Sequence, residues 1–411
     1  MSESNDWAAD VGSLVAGLGK NLLGVAARVI HAAVGTEPFE ILTYRGYGNG
    51  SRAYVYGRVI EKREIGASSD RDSALRNLFN TYRRADSDPL PFARVKIEYG
   101  GKNIELKADD EGFFGGWVEL AEPLTTSDEW QDCKVELVPP AAPDATRPLP
   151  VKASGEVLVP PPTARFAVIS DIDDTVIQSR VSNFLQAART VMLGNARTRL
   201  PFPGVAAFYE ALRNGASGDE KNPIFYVSSS PWNIHDVITE FMDLQKIPKG
   251  PLILRDWDLG WSSLSSGSHA AHKGTAIRNL MQLYPTLEFI LIGDSGQHDP
   301  EIYRQIVTEF PNRVRAVYIR DVTRTVERSA SVKKLADEVL AAHSTLVLAE
   351  DTLGAAAHAA ENGWISADAL PSVREEKRAD EGKNDSKVAT PDGGKPSSGA
   401  PPQVVEQPDR S

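Results

Sequence analysis

Hydrophobic positions change period twice along this chain, and the changes divide it into parts. Between Trp7 and Val34 the apolar residues Trp7, Val11, Leu14, Val15, Leu18, Leu22, Val25 and Val29 recur every three or four positions. That spacing predicts one amphipathic helix over residues 1–36. Its polar face carries few basic residues, so docking or self-association is favoured over lying on a lipid surface. From residue 37 to 162 the pattern shortens to β-branched and aromatic runs, "AYVYGRVI", "ARVKIEY", "IELKA", "GWVEL", "KVELV" and "GEVLV", punctuated by Gly, Asp and Pro. Short strands with such punctuation predict a β-sandwich domain. "GYGNG" at 46–50 is expected to be a turn that uses glycine at positive φ.

The prolines of "VPPPTAR" (159–165) mark a boundary. Beyond them, over residues 163–365, continuous apolar runs alternate with helical patterns. The runs are "FAVIS", "IFYVSSS", "LILRD", "FILIGDS" and "VRAVYIRDV"; the helices are expected at about 203–214, 233–245, 273–283 and 300–310. Apolar strands alternating with helices predict a parallel sheet covered on both faces, with ligands at its carboxyl ends. The fold class is therefore α/β, a Rossmann-like parallel sheet preceded by a β-sandwich. From Ser366 to residue 411 charged residues, Gly, Ser and Pro dominate, the composition of a disordered tail.

Charge and cysteine content narrow the function. A net charge of −11 speaks against a nucleic-acid partner held by bulk electrostatics. One cysteine, Cys133, gives neither a disulfide framework nor a multi-cysteine zinc site. The acidic start of the chain does not read as a secretory signal, and no run reaches the length of a spanning helix. A cytoplasmic enzyme is expected, with peripheral membrane association as the second possibility.

The candidate chemistry lies at the ends of the apolar runs. "VISDIDDTVIQS" places Asp171, Asp173 and Asp174 directly behind a strand. Carboxylates so close raise one another's pKa unless a cation compensates them, and a hard divalent ion such as Mg²⁺ suits oxygen ligands beside a phosphate. "IFYVSSSPWN" ends a second strand at Ser228 and Ser229, whose hydroxyls and succeeding N–H groups suit phosphate oxygens at a helix start. "HKGTAIRNLM" supplies Lys273, and "FILIGDSGQHDPEIY" supplies Asp294 and Asp299 after another strand. His269 and His272 lack the further ligands of a zinc site and are expected in a solvated loop before Lys273.

This ordered set resembles the haloacid dehalogenase superfamily of phosphohydrolases over about residues 164–325. The resemblance implies Asp171 as nucleophile, Asp173 as general acid and base, and Thr175 as the residue orienting the Asp pair. It further implies Ser228, Ser229 and Lys273 on the phosphoryl oxygens, and Mg²⁺ held by Asp171, Asp173 and Asp294 with Asp299 in support. A narrower likeness runs through "YRGYG" (44–48), "YGRV" (56–59), "DEGFF" (110–114), "SDIDDTVIQS", "PFPGV", "YVSSSPWN", "HKGTAI" and "LIGDSGQHDPEIY". With these motifs the chain resembles the phosphatidate phosphatase family of the fungal actin patch protein, which has many bacterial members. That implies Mg²⁺-dependent hydrolysis of phosphatidate to diacylglycerol and phosphate, on a phospholipid at a membrane surface. Two alternatives accompany it: the same chemistry on a soluble phosphomonoester, and a non-catalytic adaptor that binds phospholipid or protein. Protein partners, the role of the sandwich and oligomeric state are not legible.

Overall fold

The computed structural model describes residues 39–62, 88–124, 126–138, 150–172, 203–255, 269–296, 298–320, 339, 345–349 and 351–385. The expected N-terminal helix at 1–36 lies outside them. So do Asp173, Asp174 and Thr175, and residues 386–411 of the expected tail.

Eight strands build the N-terminal unit: β1 (Phe39–Thr43), β2 (Gly46–Gly48), β3 (Arg52–Glu61), β4 (Arg94–Tyr99), β5 (Lys102–Lys107), β6 (Phe113–Glu119), β7 (Trp130–Val138) and β8 (Lys152–Leu158). They pair as one sheet in the order β1-β3-β2-β8-β7-β4-β5, with β6 added alongside β3. The expected sandwich implied two separately hydrogen-bonded layers; here pairing runs continuously through all eight strands. Inward residues from β3, β4, β6 and β7, among them Val59, Ile97, Val118 and Cys133, still share one apolar core. Burial pushes the Cys133 thiol up to about 12, reinforced by the Glu98 charge, so it packs as an inert small hydrophobe.

The expected turn at 46–50 is corrected in part. Gly46–Gly48 is a strand, antiparallel to β3 and parallel to β8. Its glycines answer close approach instead of positive φ. A side chain on Gly48 would bring a Cβ within 2.7 Å of Ala53 Cα on the neighbouring strand.

The second unit is a six-stranded parallel sheet of order β11-β10-β9-β12-β13-β14. Its strands are β9 (Phe166–Asp171), β10 (Ile224–Pro231), β11 (Leu252–Arg255), β12 (Glu288–Asp294), β13 (Val314–Arg320) and β14 (Thr345–Ala349). The helices are α1 (Val205–Asn214), α2 (His235–Leu244), α3 (His269–Leu283), α4 (Asp299–Glu309), α5 (Thr352–Glu361) and α6 (Leu370–Asp385). Successive side chains of a strand face opposite sides. Accordingly Phe166 and Val168 join α1, α2, α5 and α6 in one apolar cluster. Ala167 and Ile169 join α3 and α4 in the other. Both faces are buried, which is why these strands read as unbroken apolar runs.

Tyr44, Tyr47, Tyr56, Phe113 and Leu158 of the N-terminal sheet belong to that second cluster. The two units are therefore packed together. Tyr284 Oη donates to Gly48 O at 2.9 Å, and Asn49 Nδ2 donates to Leu283 O at 3.2 Å.

The tail expectation fails for 366–385. Leu370–Asp385 is helical, with Val373 fully buried. Composition misleads here because two of its acids serve a structural purpose. Glu376 accepts from Ala207 N at 2.6 Å and Asp380 from Gly204 N at 3.2 Å, satisfying N–H groups at the start of α1 that no residue of α1 can pair. The pair His269 and His272 is likewise helical, at the start of α3, and not in a loop.

Candidate active site

Chain order fixes where the chemistry gathers. After β9 the chain moves outward through β10 to β11, then returns to the other side of β9 for β12. Such a reversal opens a crevice at the carboxyl ends of the strands on either side of it. Asp171 closes β9, Asp294 closes β12, and Ser228 to Ser230 lie at the end of β10. Val227 pairs with Asp171 across the ladder, so the serines begin one residue beyond the level of that carboxylate.

Three carboxylates meet there. Asp171, Asp294 and Asp299 each bring an oxygen to within 4.8 Å of the others, and all are buried. Lys273 enters from the second turn of α3. Its Nζ donates to Asp171 Oδ1 at 2.9 Å and to Asp299 Oδ1 at 2.5 Å, with 3% of the lysine side chain exposed. Burial alone would lower the lysine pKa, but the charges of Asp171 and Asp299 outweigh it and hold the ammonium well above the usual lysine range.

Asp299 is the first residue of α4, followed by Pro300 in the first turn, where a missing N–H costs nothing. Its second oxygen accepts from Asp294 N at 3.2 Å, which ties the start of α4 to the end of β12. Asp294 Oδ1 accepts from Gly296 N at 2.6 Å, and Ser295 N donates to Arg320 O at 2.8 Å, shaping the turn after β12. Behind β9, Ser170 Oγ and Tyr209 Oη lie 2.7 Å apart and fix the strand end. Tyr303 Oη donates to Ile292 O at 2.9 Å; burial, then the nearby Asp299, raises its pKa, so it stays a neutral donor.

The serine segment is a bulge. β10 pairs with β11 at Val227 with Ile253 and again at Pro231 with Arg255, so four steps of β10 span two of β11. The surplus pushes Ser228, Ser229 and Ser230 out of the ladder, as bulges next to functional sites do. Ser228 Oγ accepts from Ser230 N at 3.0 Å, and Ser228 is fully buried while Ser229 and Ser230 are half-buried.

Among the described residues the structure thus brings Asp171, Lys273, Asp294 and Asp299 together, while Ser228 and Ser229 follow the β10 residue that pairs with Asp171. Trp232, just beyond the serine loop in sequence, stacks on Tyr44 of the N-terminal sheet. Sequence reasoning missed Tyr209, Tyr303 and Gly293 as supports of the site. Only the small residue before Asp294 hinted at one of them. Among the described residues three buried carboxylates converge on this place. That convergence, and the all-oxygen donor set, fit a hard divalent cation.

Comparison with known proteins points the same way. Residues 166–321 match the family described as phosphatidate phosphatase APP1, catalytic domain. Phosphatidate phosphatase APP1 of Saccharomyces cerevisiae is 33% identical over 156 residues, covering 38% of this chain and 26% of that protein. A protein of Schizosaccharomyces pombe described as uncharacterized is 27% identical over 159 residues, covering 38% of this chain and 25% of its own length. The chain therefore matches about a quarter of the length of each of these relatives, and the family match falls on the parallel-sheet unit. Among solved structures, a carbohydrate acetylesterase from Xanthomonas citri is 14% identical, covers 69% of this chain and 68% of its own, and has a TM-score of 0.24, too low to bear on the fold.

Proposed function

We infer that this chain, whose residues 166–321 match the catalytic-domain family of phosphatidate phosphatase APP1, hydrolyses phosphatidate to diacylglycerol and phosphate. The observation that carries the reading is the buried group of Asp171, Lys273, Asp294 and Asp299 at the carboxyl ends of the parallel strands. Such a group has the charges that phosphoryl transfer needs, and little other use for them.

In this reading the site is of the haloacid dehalogenase type. An Asp171 oxygen bonds to phosphorus while the bond from phosphorus to the glycerol oxygen breaks. Asp173 gives the departing oxygen its proton, then takes one from the water that attacks phosphorus, frees phosphate and restores Asp171. Thr175 orients that pair of aspartates. Lys273 balances charge on the transferring group, and Ser228 and Ser229 hold its oxygens. Asp171, Asp173 and Asp294 would hold Mg²⁺, which when bound neutralises phosphoryl charge. Asp299, whose two oxygens already face Lys273 and the Asp294 N–H, supports the site from behind. The substrate would be reached at a membrane surface; among the described residues no helix is long and apolar enough to cross a membrane.

The test is phosphate release from phosphatidate in mixed micelles, with and without Mg²⁺, for wild type and Asp171→Asn, beside p-nitrophenyl phosphate. Mg²⁺-dependent release that favours phosphatidate and disappears in the variant is expected. Turnover of the soluble ester alone would remove the lipid substrate, and turnover of neither would remove the enzymatic reading.

A further inference from the structure

The bulge Ser228–Ser230 is held at one end by the β9–β10 ladder and at the other by the residues beyond Pro231. At that second end Pro231 pairs with Arg255 of β11, and the chain runs straight on into the next element. The next residue is Trp232, and its neighbours come from the other unit. Its ring is stacked on Tyr44 at 5.6 Å between centroids and 13° between planes, and meets Tyr56 edge-on at 5.0 Å. His235, the first residue of α2, lies 3.9 Å from the Tyr44 ring and 5.6 Å from that of Trp232. Tyr56 Oη shares its hydrogen between Arg45 O at 2.9 Å and Leu252 O at 3.2 Å, reaching β11 as well. Arg45 pairs with Asp243 on α2 at 3.2 Å. This block from the β1–β3 segment therefore touches Trp232, the start of α2 and β11, all described neighbours of the bulge in sequence or in the sheet.

We propose that Tyr44 is a positioning residue for the serine bulge, acting through Trp232 and His235, so that the N-terminal sheet sets the affinity of the site for phosphate. The proposal rests on the reading above that Ser228 and Ser229 receive phosphoryl oxygens. Tyr44 touches no reacting atom. It fixes the indole that anchors the return of the bulge, and small displacements of phosphate-holding groups cost large factors in rate or affinity.

The discriminating experiment uses the full chain and two readouts: the Kd of inorganic phosphate by calorimetry in the presence of Mg²⁺, and KM and kcat for p-nitrophenyl phosphate. Tyr44→Leu keeps apolar bulk and removes the stack; phosphate Kd and KM are expected to rise about tenfold, with kcat changing less than about threefold. Tyr44→Phe restores the ring and stays within about twofold of wild type. Trp232→Phe, which shortens the block from the other side, reproduces the rise and serves should Tyr44→Leu fold poorly. Lys249→Ala is the control. It removes the Lys249–Glu156 pair and the lysine seated 4.2 Å from the Trp130 ring, which join the same two units elsewhere, and it leaves phosphate affinity unchanged.

Wild-type affinity in folded Tyr44→Leu and Trp232→Phe, or an equal loss in Lys249→Ala, would overturn the proposal. A wild type that binds phosphate without turning over any ester overturns the phosphatase reading alone, since the Kd series still decides the role of Tyr44. A wild type that does neither overturns both.

Discussion

Gly293 and Asp299 touch across the end of β12: a Cβ on the glycine would lie 2.8 Å from Asp299 Cβ and nearer still to its carboxylate. The absence of a side chain at 293 is what lets the first residue of α4 reach the strand end. Gly293→Ala is expected to cost about 1–3 kcal/mol through overpacking. It should also lower turnover of p-nitrophenyl phosphate at least about tenfold by moving Asp299 and, with it, Lys273. Urea denaturation beside the assay checks both, and unchanged activity would show that Asp299 is not held by this contact.

Lys273 bridges Asp171 and Asp299 with one ammonium. Lys273→Met removes it and leaves both acids buried, a change expected to cost about 3–5 kcal/mol as well as all turnover. Because the folded lysine has a raised pKa, its contribution is complete below the unfolded value of about 10.4 and is lost only as pH rises through the still higher folded one. The stability gap between wild type and variant should therefore be the same at pH 7 and pH 9. A gap that closes between them would mean that the ammonium is not held by these acids.

Asp109 sits in the turn before β6, where Oδ1 accepts from Glu111 N and Phe113 N. Burial raises its pKa to about 6 despite those donors. A raised carboxyl contributes stability fully below its unfolded value near 3.9, and that contribution falls away as pH rises through about 6. Asp109→Asn keeps an oxygen for both N–H groups and removes the titration. Its melting temperature should exceed that of wild type at pH 7 and converge with it near pH 4; an equal difference at both would assign the effect to something other than this carboxyl.

Glu376 and Asp380 of α6 complete the start of α1. Glu376→Ala and Asp380→Ala should each cost about 0.5–2 kcal/mol, the range for losing a helix cap. The larger effect is expected at Glu376, whose bond to Ala207 N is the shorter. Chemical denaturation measures both, and a neutral pair of variants would return this segment to the status of a loose tail.

The sequence was most informative where burial on two faces forces a simple pattern. β9, β10, β12 and β13 were all visible as apolar runs, and the acids and lysine of the site stand immediately after such runs or in the helices beyond them. Less legible were contacts between distant segments. Gly46–Gly48 looked like a turn because glycine signals both positive φ and close approach, and only the neighbouring strands tell which. Residues 370–385 looked disordered because an acid that caps another helix is indistinguishable in composition from one that faces water. The position of Trp232 after the serine loop likewise says nothing about Tyr44, almost two hundred residues earlier. Asp173 and Thr175 remain expectations drawn from their motif.

The hydrogen bond from Gly204 N to Asp380 joins residues 176 positions apart. During synthesis, β9 to β14 leave the ribosome while the first turn of α1 still lacks the carboxylates that complete it. The parallel-sheet unit thus reaches its final form only once residue 380 has emerged, and a message truncated shortly before residue 370 would yield a protein with every described strand of that sheet and an unfinished helix beside it.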